Sequence, residues 1–342
     1  MMKKLLIRVD MNQKIATGHM MRCLSIADAA NEKNIKVFFV SADENGRALV
    51  EARGYKYISL RTQWDKMEEE LSEIEKVICE LRPDYILVDS YYITTEYMKK
   101  LQELTKVAYI DDLCDKVYQC DTLICYANYY KKYNLQERYP ENTQLLLGCD
   151  YVPLRKCFSN VEQRDLNESV KEILLLSGGT DPYHFLKTFL KLRDERKDIW
   201  KEIKISVICG VYNADYKEIV ESYVEDELVE ILTNVSDVEK YMNKADIAVS
   251  AAGTSLYELC ACGTPTVCYT FADNQLDNAK IFSEDDIMVY AGDLRNCNVV
   301  ENIIDKVEAL NLDHEKRIEM SKKMVSLVNG QGASRIVSRL NM

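Results

Sequence analysis

Histidine is scarce in this sequence, with three in 342 residues, and no Cys-x-x-Cys pair accompanies them. Cys260 and Cys262 are separated by one residue on an expected helix, with no second pair to complete a tetrahedral ligand set. A dedicated zinc centre is therefore not expected. Apolar runs of about 18 residues are also missing, which argues against a membrane-spanning helix. The opening Met1-Met2-Lys3-Lys4-Leu5-Leu6-Ile7 briefly looks like an export signal, but Arg8 and Asp10 cut its apolar run short. It reads as a first buried strand. Excess positive charge is absent as well: 44 basic against 56 acidic side chains leave a net charge of -12. That balance argues against a nucleic-acid partner and against adhesion to an anionic membrane by bulk charge. It does not exclude an anionic ligand, because helix starts and loops bind phosphate locally. Low-complexity tracts and short solenoid repeats are lacking too. Cysteine, by contrast, is plentiful. Most of the 12 fall inside apolar patterns, as Cys79, Cys125, Cys209 and Cys268 do, and read as reduced thiols of a cytoplasmic protein.

What is present is an alternation of short apolar runs with amphipathic helical stretches, over a length that suits two domains. Leu5–Val9, Ile35–Val40, Lys56–Leu60, Tyr85–Asp89, Val107–Ile110 and Thr122–Cys125 read as strands. Met20–Asn31, Gly46–Arg53, Asp65–Leu81 and Thr95–Leu104 read as the helices between them. A looser, tyrosine-rich stretch follows from Tyr126 to Pro140, then Leu145–Gly148 and a turn at Pro153. The rhythm restarts with strands at Glu172–Leu176, Ile203–Ile208, Leu228–Leu232, Asp246–Ser250, Thr266–Tyr269 and Ile287–Tyr290. The expected class is α/β, with two doubly wound, Rossmann-like domains facing across a cleft. Residues 1–160 form the expected first domain, 161–328 the second, and 329–342 a helix crossing back onto the first.

Four segments carry chemistry. The first runs from Asp10 to Gly18-His19 and the helix that holds Arg22. Gly18 is expected to permit close backbone approach or positive φ. His19 is then expected at a helix start, where the dipole favours a neutral imidazole that accepts a proton from water. A plain capping role is the alternative. Arg22 is a candidate contact one turn on, or an ordinary solvated arginine. Asp10 is a candidate contact too, though ordering the loop is the favoured role. The second segment is Ala252-Gly253-Thr254-Ser255 with Glu258, between a strand and a helix. Its small residues let a ligand meet the backbone, its free amides suit phosphate, and Glu258 suits two ribose hydroxyls. Ser255 and Glu258 are equally spaced as a capping box. Asn274-Gln275 opens the next helix on the same sheet edge, a repetition that favours a nucleotide diphosphate. The third segment is Gly178-Gly179-Thr180-Asp181, and the fourth Asp89-Ser90-Tyr91, from which Tyr91 can reach a substrate.

Together these segments resemble the UDP-sugar hydrolases of pseudaminic acid biosynthesis, over essentially the whole chain. The resemblance rests on Gly18-His19-x-x-Arg22-Cys23-Leu24, Asp89-Ser90-Tyr91, Asp111-Asp112, Gly148 with Pro153-Leu154-Arg155, Gly178-Gly179-x-Asp181, Ser250 to Glu258, and Asn274-Gln275. The closing Gly330-x-Gly332-Ala333-x-Arg335 fits as well, except that Asn329 stands where an acidic residue is usual. The family is similar in fold to GT-B glycosyltransferases, especially the lipid II synthase MurG, but transfers its sugar to water. The resemblance implies that His19 is the general base and Tyr91 a catalytic partner. It implies that Glu258, Asn274 and Gln275 contact UDP and the sugar phosphate. It implies neither metal nor cofactor, a UDP-sugar substrate, a UDP product, and a place in flagellin glycosylation or polysaccharide biosynthesis. Neither nucleic acid nor membrane is expected as a partner, and a monomer suffices. The rival readings are a GT-B transferase, with His19 activating an acceptor hydroxyl, and a sugar-nucleotide-binding subunit without activity.

Overall fold

In the computed structural model the described residues are 2–12, 14, 15, 17–162, 164–210 and 212–340. Met1 of the expected first strand and the last two residues of the expected closing helix lie outside them. The chain divides into two compact units, Met1–Ser159 with Gly330–Met342, and Asn160–Asn329.

The first unit is built on seven strands: β1 (Lys4–Val9), β2 (Lys36–Ser41), β3 (Lys56–Ser59), β4 (Tyr85–Asp89), β5 (Lys106–Ile110), β6 (Thr122–Cys125) and β7 (Gln144–Leu147). They pair in parallel in the order β3-β2-β1-β4-β5-β6-β7. Continuous apolar runs suit central strands covered on both faces, and all five residues of β4 are buried. Leu6, Phe38, Ile86, Val107 and Leu123 join one core cluster with Tyr97 and Leu101 of the helix Thr95–Leu104. Strand order reverses between β1 and β4, the kind of switch point beyond whose carboxyl ends open α/β sheets bind ligands.

Two local departures from the periodicity have physical causes. The run Leu145–Gly148, unassigned from sequence, supplies the seventh strand; short turns at Tyr130–Tyr133 and Leu135–Arg138 replace a full crossover helix. The helix expected over Asp65–Leu81 begins as a 3-10 turn, Met67–Glu70, where Glu70 turns inward to Arg8. The closing helix Gly332–Arg339 packs on the helix Gly18–Glu32. Its approach depends on glycine: a Cβ at Gly330 would stand 2.1 Å from the Phe158 carbonyl oxygen, and one at Gly332 2.1 Å from that of Val152.

The second unit holds β8 (Glu172–Leu176), β9 (Lys204–Ile208), β10 (Val229–Leu232), β11 (Ile247–Ala251), β12 (Thr266–Thr270) and β13 (Val289–Asp293). Their order is β10-β9-β8-β11-β12-β13, again all parallel. Its reversal lies between β8 and β11. The core gathers Ile173, Leu175, Val207, Val249 and Val267 with Phe185, Phe189 and Trp200. No helix among the described residues is long and apolar enough to cross a membrane.

Candidate functional site

At the carboxyl edge of the first sheet, β1 leads through a loop to the helix Gly18–Glu32, and β4 ends in Asp89 beside it. Gly18 has no positive φ, so that expectation is not met, while a Cβ there would meet nothing within 4 Å and the backbone is open to close approach. His19 is buried, with Nδ1 2.6 Å from Asp89 Oδ1. Arg22 Nη2 also lies 3.1 Å from Nδ1, but the carboxylate contact is shorter. An ionised carboxylate only accepts, so in the neutral imidazole Nδ1 carries the proton and Nε2 keeps its lone pair. The sequence reading invoked a helix dipole for His19; the geometry supplies a carboxylate partner it had not named.

Arg22 is not the solvated arginine of the alternative reading. Its Nε and Nη2 donate to the two oxygens of Asp89 at 2.6 and 2.5 Å, and Nη1 donates to Asp112 Oδ2 at 2.6 Å and Tyr126 Oη at 2.5 Å. With its guanidinium so occupied, Arg22 shapes the site more than it offers a ligand contact. Burial alone would push the Asp89 carboxyl up, but Arg22 and His19 hold it well below the usual carboxylate range. Tyr91 sets its ring edge against His19, with centroids 4.6 Å apart at 82°. Its hydroxyl donates to Asp112 Oδ2 at 3.2 Å. Burial pushes the Tyr91 and Tyr126 hydroxyls up, so both remain donors at neutral pH.

Asp10 is committed to structure. Its Oδ2 accepts from Arg8 at 2.6 Å and its Oδ1 from the Ala42 amide at 2.8 Å, tying the end of β1 to the end of β2. Asp111 caps the amides of Leu113 and Cys114, while burial pushes its carboxyl up to about 6. Asp89, Asp112 and Tyr126 are the members of this cluster that sequence reasoning left without a role. Asp89 and Asp112 stand in segments that carry the resemblance, without a role of their own, and the signal for Tyr126 is only its position just past the carboxyl end of β6.

The edge of the second sheet is constructed otherwise. After β11, Ala252 and Gly253 lead to the helix Ser255–Cys262, whose cap position is Thr254. Ser255 and Glu258 both lie inside the helix, so they are not placed as a capping box, and the Thr254 side chain makes no capping bond. A Cβ on Gly253 would meet nothing within 4 Å. The turn is fixed from behind: Tyr257 donates to Asn278 Oδ1 at 2.9 Å, and Asn278 donates to the Ala252 carbonyl at 3.2 Å. After β8, Gly178 takes φ +78° and is exposed, as is Gly179. Asp181 is turned into the fold there. It is buried and accepts from the Phe185 and Leu186 amides at 2.9 and 3.0 Å, capping the helix Phe185–Glu195. Gly210, passed over in the sequence, is required here, because its Cβ would stand 2.2 Å from the Gly179 carbonyl oxygen. After β12, Asn274 is exposed in the 3-10 turn Asp273–Gln275, and Gln275 Oε1 accepts from the Phe271 amide at 2.9 Å. Among the described residues no group of three or more His, Cys, Asp or Glu is arranged to hold a metal ion.

Residues 173–340 match the family model of the glycosyltransferase family 28 C-terminal domain. The chain is 22% identical over 332 residues to the spore coat polysaccharide biosynthesis protein SpsG of Bacillus subtilis, covering 94% of this chain and 93% of that one. It is 23% identical to an uncharacterized protein of Methanocaldococcus jannaschii, over 77% of this chain and 55% of that protein. A Helicobacter pylori protein described as pseudaminic acid cytidylyltransferase and UDP-2,4-diacetamido-2,4,6-trideoxy-beta-L-altropyranose hydrolase is 24% identical, over 64% of this chain and 41% of its own length. The chain thus spans about half the length of the archaeal relative and less of the Helicobacter one. Among solved structures, MurG of Acinetobacter baumannii superposes with a TM-score of 0.69 at 12% identity, covering 99% of each chain. The UDP co-structure of MnaA from S. aureus gives 0.67 at 13%, covering 99% of this chain and 96% of that one. Two parallel Rossmann-like sheets of this order are the GT-B architecture, as the sequence led one to expect.

Proposed function

We propose that this chain is a nucleotide-sugar hydrolase that releases UDP by attack of water at the anomeric carbon. The observation that carries the reading is the His19–Asp89 pair at the β1–β4 reversal, where the Nδ1 contact leaves Nε2 as a base. The second unit binds UDP. Amides at the start of the helix Ser255–Cys262 and the open backbone at Gly253 take the diphosphate. Glu258 takes the ribose hydroxyls, and Asn274 and Gln275 steady the leaving phosphate and the sugar. Water donates its proton to His19 Nε2 as its oxygen bonds to the anomeric carbon, and the bond from that carbon to the UDP oxygen breaks with inversion. Charge developing on UDP meets backbone donors already in place, so this chain's residues supply the leaving-group stabilisation. The name of the Helicobacter relative supports UDP-2,4-diacetamido-2,4,6-trideoxy-beta-L-altropyranose as the substrate.

A second reading, a transferase that moves the sugar to a hydroxyl, is favoured by the match to a glycosyltransferase domain. One assay separates them. A hydrolase releases UDP and free sugar with no acceptor present, and water labelled with oxygen-18 leaves its label on the sugar. Release that waits for an added acceptor supports the transferase, and label on UDP would place the attack at phosphorus.

A further inference from the structure

The cluster around His19 holds a second carboxylate for which the proposed reaction has no role. Asp112 follows β5, and its Oδ2 accepts from Arg22 Nη1 at 2.6 Å and from the Tyr91 hydroxyl at 3.2 Å. These two donors flank His19: the Tyr91 ring packs on the imidazole, and Arg22 grips both oxygens of the carboxylate that orients it. Asp112 is therefore bonded to the group beside His19 and to the group behind its partner.

Charge points the same way. Asp89 and Asp112 bring two formal negative charges against one positive charge on Arg22, with side-chain exposures of 0%, 17% and 8%. While the imidazole is neutral, one negative charge stays uncompensated, and a proton on His19 cancels it. Asp112 Oδ1 is buried without a hydrogen-bond partner among the described residues, so its negative potential is not satisfied by the groups that hold it.

We infer that Asp112 is a positioning residue, which locks Tyr91 and Arg22 around the His19–Asp89 pair and supplies the counter-charge for the proton His19 receives. The inference rests on His19 being the base, as proposed above. It acts through other side chains and does not itself touch the substrate.

The test uses the full chain with Asp112→Asn, and Asp112→Glu as the conservative variant. With three histidines in the sequence, nitrogen-15 NMR at mildly alkaline pH resolves each imidazole, and the signal lost in His19→Ala assigns His19. The expected wild-type pattern has the proton on Nδ1. Asp112→Asn should leave the proton on Nδ1, which Asp89 holds, but shift the His19 nitrogen signals and lower kcat about tenfold to a hundredfold, with KM within about threefold. Asp112→Glu should return the signals toward wild type and restore most of the lost kcat. Unchanged His19 signals overturn the inference, as does a kcat within about twofold of wild type or a loss confined to KM, which would make Asp112 a substrate contact. Should Asp112→Asn not fold, Tyr91→Phe deletes one of the same hydrogen bonds and must shift the His19 signal, or the inference fails. The spectrum needs no turnover. A chain that hydrolyses no UDP-sugar would defeat the proposed function while leaving Asp112 to be judged by the His19 signals.

Discussion

At the carboxyl edge of the first sheet, side chains are bonded to one another: His19, Asp89, Arg22, Asp112, Tyr91 and Tyr126 form one connected set. At the corresponding edge of the second sheet, Gly178, Gly179 and Gly253 leave backbone open, each with no atom within 4 Å of a would-be Cβ. Both edges lie at a reversal of strand order, so topology does not account for the difference. Chemistry does. A base must be held in one tautomer and one orientation before the reaction, which takes committed side-chain partners. A diphosphate is large, charged and met well by uncommitted amides, which small residues expose. The committed side chains of the first edge are what favour the proposed enzyme over a binding subunit.

The largest expected effect breaks the comparison at its centre. His19→Ala should lower turnover by about 10²–10⁴-fold, while calorimetry finds UDP affinity within about threefold of wild type. Turnover near wild type in that variant would remove the first edge from the chemistry altogether. Asp89→Asn comes next, because it strips the Arg22 guanidinium of its paired carboxylate in a buried setting. Unfolding by urea should show a loss of about 3–5 kcal/mol, and the turnover of the folded fraction should fall as well. The sign with pH follows from the depressed Asp89 carboxyl. Its stabilisation is present above the ordinary carboxylate range and fades as pH falls through the lower native value, so the wild-type advantage should shrink in acid.

Gly253→Ala sharpens the second edge. Space is open around that position, so the melting temperature should barely move, while UDP binding weakens about tenfold, about 1.4 kcal/mol. Equal UDP affinity in the variant would separate Gly253 from the diphosphate. The smallest effect concerns what the first edge costs the fold. Asp111 is pushed up to about 6 by burial, so its charge opposes folding above that pH, and the opposition is relieved as pH falls toward the ordinary value. Asp111→Asn, which keeps an oxygen to cap Leu113 and Cys114, should be more stable than wild type by on the order of 1 kcal/mol at pH near 8. The two should converge near pH 4, and denaturation curves at both pH values would reveal a contrary trend.

Much of this was legible from residue order. Buried parallel strands announce themselves as unbroken apolar runs, and twelve of the thirteen strands lie on such runs. β7 is harder to read, because the short turns Tyr130–Tyr133 and Leu135–Arg138 precede it in place of a crossover helix. Among the candidate site residues, glycines next to strand ends signalled exposed backbone, and Gly178, Gly179 and Gly253 are open in the fold. The charged candidates were less readable. Asp10, Arg22 and Asp181 sit where ligand contacts would, yet each has its polar atoms taken by the protein. A sequence gives the position of a carboxylate along a strand but not which donors reach it from elsewhere.

By itself the sequence determined the two doubly wound units, because hydrophobic periodicity acts locally and each crossover is written in consecutive residues. It also determined that His19 begins a helix beside a strand end. Only the tertiary structure decided that Asp89 orients His19, that Asp112 and Tyr91 close around it, and that Gly210 must be glycine for the Gly178–Gly179 loop to pass. Those contacts join residues 21 to 90 positions apart, brought together by parallel pairing of β1, β4 and β5 and of β8 and β9. Sequence proximity carries no trace of them, since the energy that selects them is made only after the sheets have formed.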